Sequence, residues 1–341
     1  MTATDVETKG PAAKSRGATP LQRAQHILHE HSWVSPLVLL VLSIVVFTIL
    51  NPAFAQPRAI SLLLQQTAVI AALAVGQTLI IITGGIDLSV GAAAILACMS
   101  SALLAANGVL PAPAAILVGV LIGAICGLLN GLLVSRVKLP PFIVTLGTLS
   151  VFTAITLMLT GGSTVQGDEM PSWMTAAGER VPLFGLDLNV GIIVVALIYV
   201  AVGYALGFTA WGRRVFAVGD APEAARLAGI SVSRVLVSVY LVAGVIYGIA
   251  AWVLIGRAGA ASPNGVVDAN LASITAVVIG GTSLFGGRGG VVGTVLGALI
   301  VQSFAIGLTL VGLDDEYRVL AVGILVIAAV AADQWIRKVR S

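Results

Sequence analysis

Residues 61–83 read SLLLQQTAVIAALAVGQTLIIIT, an apolar run without a charged side chain. An α-helix rises about 1.5 Å per residue, so roughly 20 apolar residues cross the ~30 Å hydrocarbon core of a bilayer. The run is therefore long enough to form a membrane-spanning helix. The whole composition agrees, because hydrophobic residues make up 58% of the 341 residues and charged residues only 10%. This balance excludes an ordinary soluble globular protein.

Apolar runs of this kind recur along the chain and predict an all-α polytopic membrane protein with about ten transmembrane helices. The predicted spans are residues 36–54, 61–83, 88–106, 111–134, 142–160, 190–208, 235–255, 271–284, 291–311 and 319–332. The eighth and tenth spans are short. A short span requires a thinner bilayer, a broken helix or burial behind its neighbours.

The segments outside the spans complete the predicted organisation. Residues 1–34 are interpreted as a retained cytoplasmic tail, because they have no apolar core near the start that would make a secretory signal. Within this tail, residues 20–33 carry apolar side chains at helical spacing and predict an amphipathic helix on the membrane surface. Residues 35–336 form the transmembrane domain, and residues 337–341 form a basic cytoplasmic C-terminus.

Side chains that bind metals are few. His26, His29 and His31 all lie in the predicted surface helix. No cysteine or well-placed carboxylate joins them, so interfacial polar roles are favoured over a metal site. Cys98 and Cys126 fall inside apolar spans and are interpreted as small buried hydrophobic residues.

Loop charges predict that both termini are cytoplasmic. Cytoplasmic loops carry an excess of Lys and Arg, and basic residues here follow the even-numbered spans. The loop of residues 164–189 and the turn of residues 314–316 are acidic and are placed outside. Arg58 and Arg257 oppose this trend, which is a bias over all loops. The net charge of +3 therefore reflects orientation, and no nucleic-acid partner is expected.

A short helix with clear start and stop signals is predicted in the loop of residues 219–229, GDAPEAARLAG. Asp220 is a candidate N-cap, Pro222 suits the first turn, Glu223 would complete a capping box, and Gly229 would end the helix. A helix of about two turns is marginal alone in water, so this one is interpreted as a knob that fits a groove of another protein. The alternative is an ordinary capped loop helix.

Two glycine-rich turns share the pattern GGxxLxxG. Residues 84–91 read GGIDLSVG and residues 280–287 read GGTSLFGG. Paired glycine-interrupted apolar segments at matching places indicate a permeation site in transporters. Coincidence in a chain with 39 glycines is the alternative.

Glycines also repeat every fourth residue within two spans. They are Gly119, Gly123, Gly127 and Gly131 in the fourth span, and Gly289, Gly293 and Gly297 at the ninth. Small residues at this spacing let two helix backbones approach closely, so both faces are predicted to pack against other helices.

Polar side chains within the spans are almost all neutral. Asp87 is the single ionisable candidate, since charged groups inside a membrane are costly and usually functional. The neutral donors and acceptors are Gln65, Gln66, Gln77, Asn130, Thr145, Thr148, Gln302 and Ser303. They suit a hydroxyl-rich passenger better than an ion, although any one of them can simply bond to another helix.

The chain has no chemistry of its own for energy conversion. It contains no GxxxxGK[ST] motif to hold a nucleotide, so it cannot hydrolyse ATP alone. A proton-driven transporter would carry several buried carboxylates or histidines, whereas one Asp is present here. No catalytic residue is predicted, and the energy must come from a partner.

Four strings resemble the ribose-type permease family of sugar ABC importers. They are TGGIDLSVG at residues 83–91, LLNG at 128–131, PPFIVTLGT at 140–148 and AVVIGGTS at 276–283. The predicted knob also resembles the EAA-x-x-x-G loop that many binding-protein-dependent ABC importers share. The resemblance covers about residues 36–336 and not the tail before them.

The resemblance implies an integral permease subunit in the inner (plasma) membrane of a prokaryote, in contact with membrane lipid. It implies three protein partners: a second permease copy in a homodimer, an ABC ATPase subunit, and an extracytoplasmic sugar-binding protein. The cargo would be a pentose or hexose such as ribose, fructose or xylose. The chain itself would bind no cofactor, and Mg-ATP would be held by the ATPase.

The resemblance also implies roles for particular residues. The coupling helix against the ATPase would include Asp220, Glu223, Ala224, Ala225, Arg226 and Gly229. Candidates for the sugar path or its gates are Gln77, Asp87, Ser89, Asn130, Thr145, Thr148, Thr282 and Ser283. The external loop of residues 161–189, with Trp173 and Met174, would help to seat the binding protein.

Two other functions stay open. The first is a related permease for branched-chain amino acids, nucleosides or a sugar-like signal. A passenger with a carboxylate would favour a cationic side chain facing the path, and no span interior has Lys or Arg. The second is a membrane-embedded enzyme that transfers groups to lipids. It predicts clustered acids and histidines at one interface, which the sequence does not contain.

Overall fold

A computed structural model of the chain describes residues 33–183, 185–265 and 269–314, together with residues 316–317, 319–321, 323–324 and 327. The α-helices are α1 (Val34–Leu50), α2 (Pro57–Ile82), α3 (Val90–Ala106), α4 (Ala112–Ser135), α5 (Pro141–Thr160), α6 (Ser172–Thr175), α7 (Val190–Phe208), α8 (Ala210–Asp220), α9 (Pro222–Leu227), α10 (Val232–Ala258), α11 (Ala269–Ile279) and α12 (Val291–Val311). Single 3-10 turns lie at Pro52–Ala55, Gly167–Glu169 and Ala176–Gly178.

Six helices within these ranges are long and apolar enough to cross a membrane: α2, α4, α5, α7, α10 and α12. Three shorter apolar helices, α1, α3 and α11, coincide with the first, third and eighth predicted spans. The chain is therefore an all-α polytopic membrane protein. The predicted tail helix with its histidines, most of the tenth span and the basic C-terminus lie outside the described residues.

Helix α2 runs through the centre of the bundle. Its residues 67–82 are all buried, because α7, α10, α11 and α12 pack around it. A helix that is apolar on every side is typical of such a central position. At about 1.5 Å per residue, α2 connects two surfaces of the protein that lie roughly one bilayer thickness apart.

The glycine face of α4 packs against glycines of α10. A methyl group on Gly123 would overlap the carbonyl oxygen of Gly244 and lie 2.7 Å from the Gly248 amide nitrogen, and one on Gly127 would overlap the carbonyl oxygen of Tyr240. The prediction of a close helix contact is confirmed here. The sequence did not identify α10 as the partner, although α10 has its own glycine pair at the same spacing.

A second glycine contact joins α11 and α12. A methyl group on Gly293 would overlap the carbonyl oxygen of Gly280, and one on Gly297 would overlap that of Ala276. Gly289 does not belong to this face, because it precedes α12 in a loop and has a φ of 141°. The predicted face at the ninth span is therefore right for two of its three glycines.

Residues 161–189 form a folded cap at the starting end of α2. It contains α6 and the antiparallel hairpin of β2 (Arg180–Leu183) and β3 (Leu186–Asn189), and β1 (Val165–Gln166) pairs with β4 (Ala260–Ala261). The Gln65 amide donates to the Asp187 carbonyl at 2.7 Å, and the Asp187 amide donates to the Ser61 hydroxyl at 3.0 Å. These bonds fix the cap to α2.

The predicted short helix is present as α9, but its start differs from the prediction. Asp220 is the last residue of α8, and Ala221 precedes α9 without a side-chain cap, so the predicted N-cap and capping box are wrong. The end is confirmed: Gly229 has a φ of 82°, and the Ile230 amide bonds to the Ala225 carbonyl at 3.0 Å. This arrangement is a Schellman motif, which closes a helix through a left-handed glycine.

Candidate functional site

A buried carboxylate lies in the linker between α2 and α3. Asp87 is 1% exposed, and its Oδ1 accepts hydrogen bonds from the Ser89 amide at 2.7 Å and the Ser89 hydroxyl at 2.6 Å. Asn130 of α4 donates from its side-chain amide to the same hydroxyl at 2.8 Å. Burying an ionisable group without such bonds would be strongly unfavourable. The structure therefore brings together three of the predicted path candidates.

Two more candidates approach this linker from α5. The Thr145 hydroxyl lies 3.1 Å from the Ile86 carbonyl and 2.9 Å from the Pro141 carbonyl, and Thr148 lies one turn further along the helix. Asn270 of α11, which was not predicted, accepts a hydrogen bond of 2.7 Å from the Gly91 amide at the start of α3. Side chains of α4, α5 and α11 thus bond to the linker that contains Asp87 or to the start of α3.

Several buried polar atoms on the helices around this linker have no hydrogen-bond partner within the part of the chain that the structure describes. They are both amide atoms of Gln77, the Asn130 carbonyl oxygen and the hydroxyls of Tyr240 and Tyr247. Each unsatisfied buried group costs about 1–3 kcal/mol. Gln77 was a predicted path candidate. Such groups gain partners when water or a polar passenger reaches them.

Tyr240 and Tyr247 were missed by the sequence analysis. Both lie on α10 and are buried. The Tyr240 hydroxyl lies close to Gly85, where an added methyl group would be 3.0 Å from it, and the Tyr247 ring packs on Gly76. The sequence did contain a signal for them: the two tyrosines are seven residues apart, about two helical turns, which places both rings on one face of the helix.

A cavity of about 320 Å³ adjoins the cluster where α2 ends. It is lined by Thr83, Gly85, Val134, Lys138, Leu139, Pro140, Pro141, Leu236 and Tyr240. Lys138 has a φ of 61°, a conformation that non-glycine residues rarely adopt. Tyr240 therefore lines this cavity, and its hydroxyl also lies close to Gly85 of the linker that contains Asp87.

Thr282 and Ser283 lie in the second glycine turn and do not join the Asp87 cluster through their side chains. Both are buried, and their loop folds on itself: the Ser283 amide donates to the Arg288 carbonyl at 3.1 Å. The two glycine turns instead meet through their backbones. The Gly287 amide donates to the carbonyl of Ile82, the last residue of α2, at 2.9 Å.

Most of the predicted coupling residues are exposed on the α9 segment. Asp220, Ala224 and Gly229 are exposed, and so are Glu223 and Arg226, which form an ion pair of 2.9 Å. Ala225 is buried and faces the protein instead. Leu227, which was not predicted, is 82% exposed and adds an apolar tip.

The cap of residues 161–189 exposes one of its two predicted contact residues. Trp173 is 64% exposed, whereas Met174 is fully buried and cannot touch a second protein. The Trp252 indole donates to the Trp173 carbonyl at 3.1 Å, which holds this part of the cap on α10. The cap and α9 lie at opposite ends of α2, a helix long and apolar enough to cross a membrane.

Comparison with known proteins shows a match over nearly the whole chain. The family described as branched-chain amino acid transport system / permease component matches residues 59–330. The fructose import permease protein FrcC of Rhizobium meliloti is 43% identical over 98% of this chain and 94% of its own length. The ribose import permease protein RbsC of Bacillus subtilis is 40% identical over 88% of this chain and 92% of its own.

The D-allose transport system permease protein AlsC of Escherichia coli is 34% identical over 88% of this chain and 91% of its own length. No solved structure matches the chain significantly. The matched region contains both glycine turns, the Asp87 cluster and α9. The chain therefore belongs to the ribose-type permease family of ABC transporters, within the larger permease family that matches residues 59–330.

Proposed function

We propose that this protein is the membrane permease subunit of an ATP-driven importer for a monosaccharide, a pentose or hexose such as fructose, ribose or xylose. The observation that carries the proposal is the match, over 98% of the chain, to a permease named for fructose import. Neutral buried groups around Asp87 support the same cargo, because sugar hydroxyls both donate and accept hydrogen bonds.

The chain crosses the inner membrane of a prokaryote ten times, with both termini in the cytoplasm. The charge distribution supports this orientation: Arg136 and Lys138 lie near the end of α2 that approaches α9, whereas the acidic cap lies at the other end. The helices α1, α3 and α11 are shorter than a usual span. They cross the membrane where they are buried against neighbouring helices or where the bilayer is locally thinner.

Three protein partners act with the chain. A second permease copy completes the path in a homodimer, and an extracytoplasmic sugar-binding protein docks on the cap through its exposed acidic residues and Trp173. An ABC ATPase, which holds Mg-ATP, receives α9 as the coupling helix. The exposed ion pair of Glu223 and Arg226 and the apolar tip at Leu227 support a docking role for α9.

The transport cycle follows from differential binding. ATP closes the ATPase pair and favours the conformation in which the permease opens outward; hydrolysis restores the inward-facing state. The sugar is handed over by the binding protein and is held only weakly in the path, because a tightly held passenger would leave slowly. Gln77, Asn130, Tyr240 and Tyr247 supply the hydrogen-bonding groups that the moving helices uncover.

A second candidate function is import of a branched-chain amino acid, which the description of the matching family favours. Nucleosides or a sugar-like signal belong to the same group of alternatives. A passenger with a carboxylate requires a cationic partner in the path, and Asp87 has the opposite charge. The neutral sugar is therefore preferred.

The test is reconstitution in liposomes with an ABC ATPase and a sugar-binding protein that assemble with this chain. We expect ATP-dependent uptake of labelled fructose, ribose or xylose, and none of leucine. In Glu223→Lys, uptake and sugar-stimulated ATP hydrolysis should both be lost while the permease still inserts, because an exposed ion pair contributes at most about 1 kcal/mol to stability. Leucine uptake would favour the second candidate, and accumulation of solute without the ATPase would overturn both.

A further inference from the structure

We propose that Gly219 is a positioning residue for the coupling of ATP hydrolysis to transport. It allows the end of α8, which leads into α9, to lie directly on the end of α2 and on the second glycine turn. We call the contact among Ile82, Gly219 and Gly287 the junction. The inference rests on the proposed function, in which α9 docks on an ATPase.

The first contact of the junction joins the end of α2 to the second glycine turn. The last carbonyl groups of a helix have no partner within that helix. The carbonyl of Ile82, at the end of α2, is satisfied by the Gly287 amide at 2.9 Å, although 205 residues separate them along the chain. Backbone groups, not flexible side chains, make this bond, so α2 and the second turn are held together stiffly.

The second contact brings in α8. A methyl group on Gly219 would overlap the Ile82 carbonyl oxygen and lie 2.7 Å from the Gly287 amide nitrogen. A methyl group on Gly287 would lie 2.8 Å from the Asp220 Cα atom, and one on Gly286 would lie 2.7 Å from the Gly219 carbonyl oxygen. Three chain segments therefore meet where only glycine fits.

Glycine at position 219 is unfavourable for the helix itself. Within a helix, glycine is about 1 kcal/mol less favourable than alanine. Gly219 lies within α8 and has no positive φ that would require glycine. The close approach to Ile82 and Gly287 is the remaining physical reason for it.

The junction lies between α9 and both groups of path candidates. One residue, Ala221, separates the end of α8 from α9. The linker that follows Ile82 contains Asp87, and the turn before Gly287 contains Thr282 and Ser283. A displacement of α9 by the ATPase is therefore transmitted through Gly219 to both turns at once, because packed backbone segments move together.

The test compares Gly219→Ala with Gly207→Ala in the complete transporter. Gly207 lies near the end of α7, and no atom of the described residues lies within 4 Å of a methyl group added there. Both changes favour the helix equally, and only Gly219→Ala crowds the junction. For Gly219→Ala we expect assembly with the ATPase but a loss of about fivefold or more in sugar moved per ATP hydrolysed, because ATP hydrolysis would continue without moving both turns together. Gly207→Ala should match the wild type. An unchanged ratio in Gly219→Ala would overturn the inference.

A measurement on the wild-type complex covers the case in which Gly219→Ala does not assemble. Hydrogen exchange of residues 82–87 and 284–290 should change together when ATP binds, because the junction moves as a unit. A change in one segment alone, or in neither, would contradict the inference. If the wild-type complex imports no sugar at all, the proposed function fails instead, so the two failures are distinguishable.

Discussion

The side-chain amide of Asn130 donates a hydrogen bond of 2.8 Å to the hydroxyl of Ser89, 41 residues earlier in the chain. Because Ser89 also donates to the buried carboxylate of Asp87, this bond fixes the linker between α2 and α3 to α4. We expect Asn130→Ala to lower the free energy of unfolding by about 1–3 kcal/mol, the cost of leaving a buried polar group unpaired. Thermal unfolding of the purified protein measures this loss.

The control for this prediction is Asn107→Ala. Asn107 is an exposed residue that follows the end of α3. Its replacement should leave the unfolding temperature within error of the wild type. Equal unfolding temperatures for the two variants would show that the Asn130 bond does not stabilise the linker.

The charge of Asp87 is separable from its hydrogen bonds. In Asp87→Asn, the amide oxygen can still accept both bonds from Ser89, but the negative charge is lost. We therefore expect a thermal stability close to that of the wild type and a clear fall in sugar uptake by the reconstituted transporter. Asp87→Ala removes the acceptor as well and should lower both. Wild-type uptake in Asp87→Asn would assign the carboxylate a purely structural role.

The contact between α4 and α10 predicts opposite effects for two glycine replacements. In Gly127→Ala, the new methyl group overlaps the Tyr240 carbonyl oxygen, a backbone atom that cannot move without shifting α10. We expect a destabilisation of about 1–3 kcal/mol, the usual cost of overpacking. Gly147→Ala on α5 meets no atom within 4 Å and should leave stability unchanged or raise it by up to about 1 kcal/mol. Equal effects of the two changes on the unfolding temperature would contradict the observed packing.

The sequence predicted the elements of this fold better than their contacts. Span limits follow from local composition, so nine predicted spans coincide with helices, and the left-handed turn at Gly229 follows from the residue itself. The start of α9 was mispredicted because Asp220 is equally able to end the preceding helix. Which of two adjacent helices a residue joins is decided by packing, and Asp220 lies directly against Gly287.

The candidate site was predicted in part for the same reason. Asp87, Ser89 and Asn130 stand out because polar residues are rare in apolar spans, and the structure joins them. Tyr240 and Tyr247 were missed because a tyrosine ring is largely apolar and fits the pattern of an apolar span. Both hydroxyls are buried without a hydrogen-bond partner among the described residues, the Tyr240 hydroxyl lies close to Gly85 of the linker, and the Tyr247 ring packs on Gly76. Such long-range placement is not encoded in a local pattern.

Orientation in the membrane is tested with two single-cysteine variants, Ser172→Cys in the cap and Ala228→Cys after α9. Both positions are exposed, unlike Ala225, whose burial makes it unsuitable for labelling. The native Cys98 and Cys126 are buried, so background reaction should be small. An impermeant thiol reagent added to intact cells should label Ser172→Cys only, and Ala228→Cys should react only after the membrane is opened. Labelling of Ala228→Cys in intact cells would place α9 outside, where no ATPase can reach it, and would refute its role as the coupling helix.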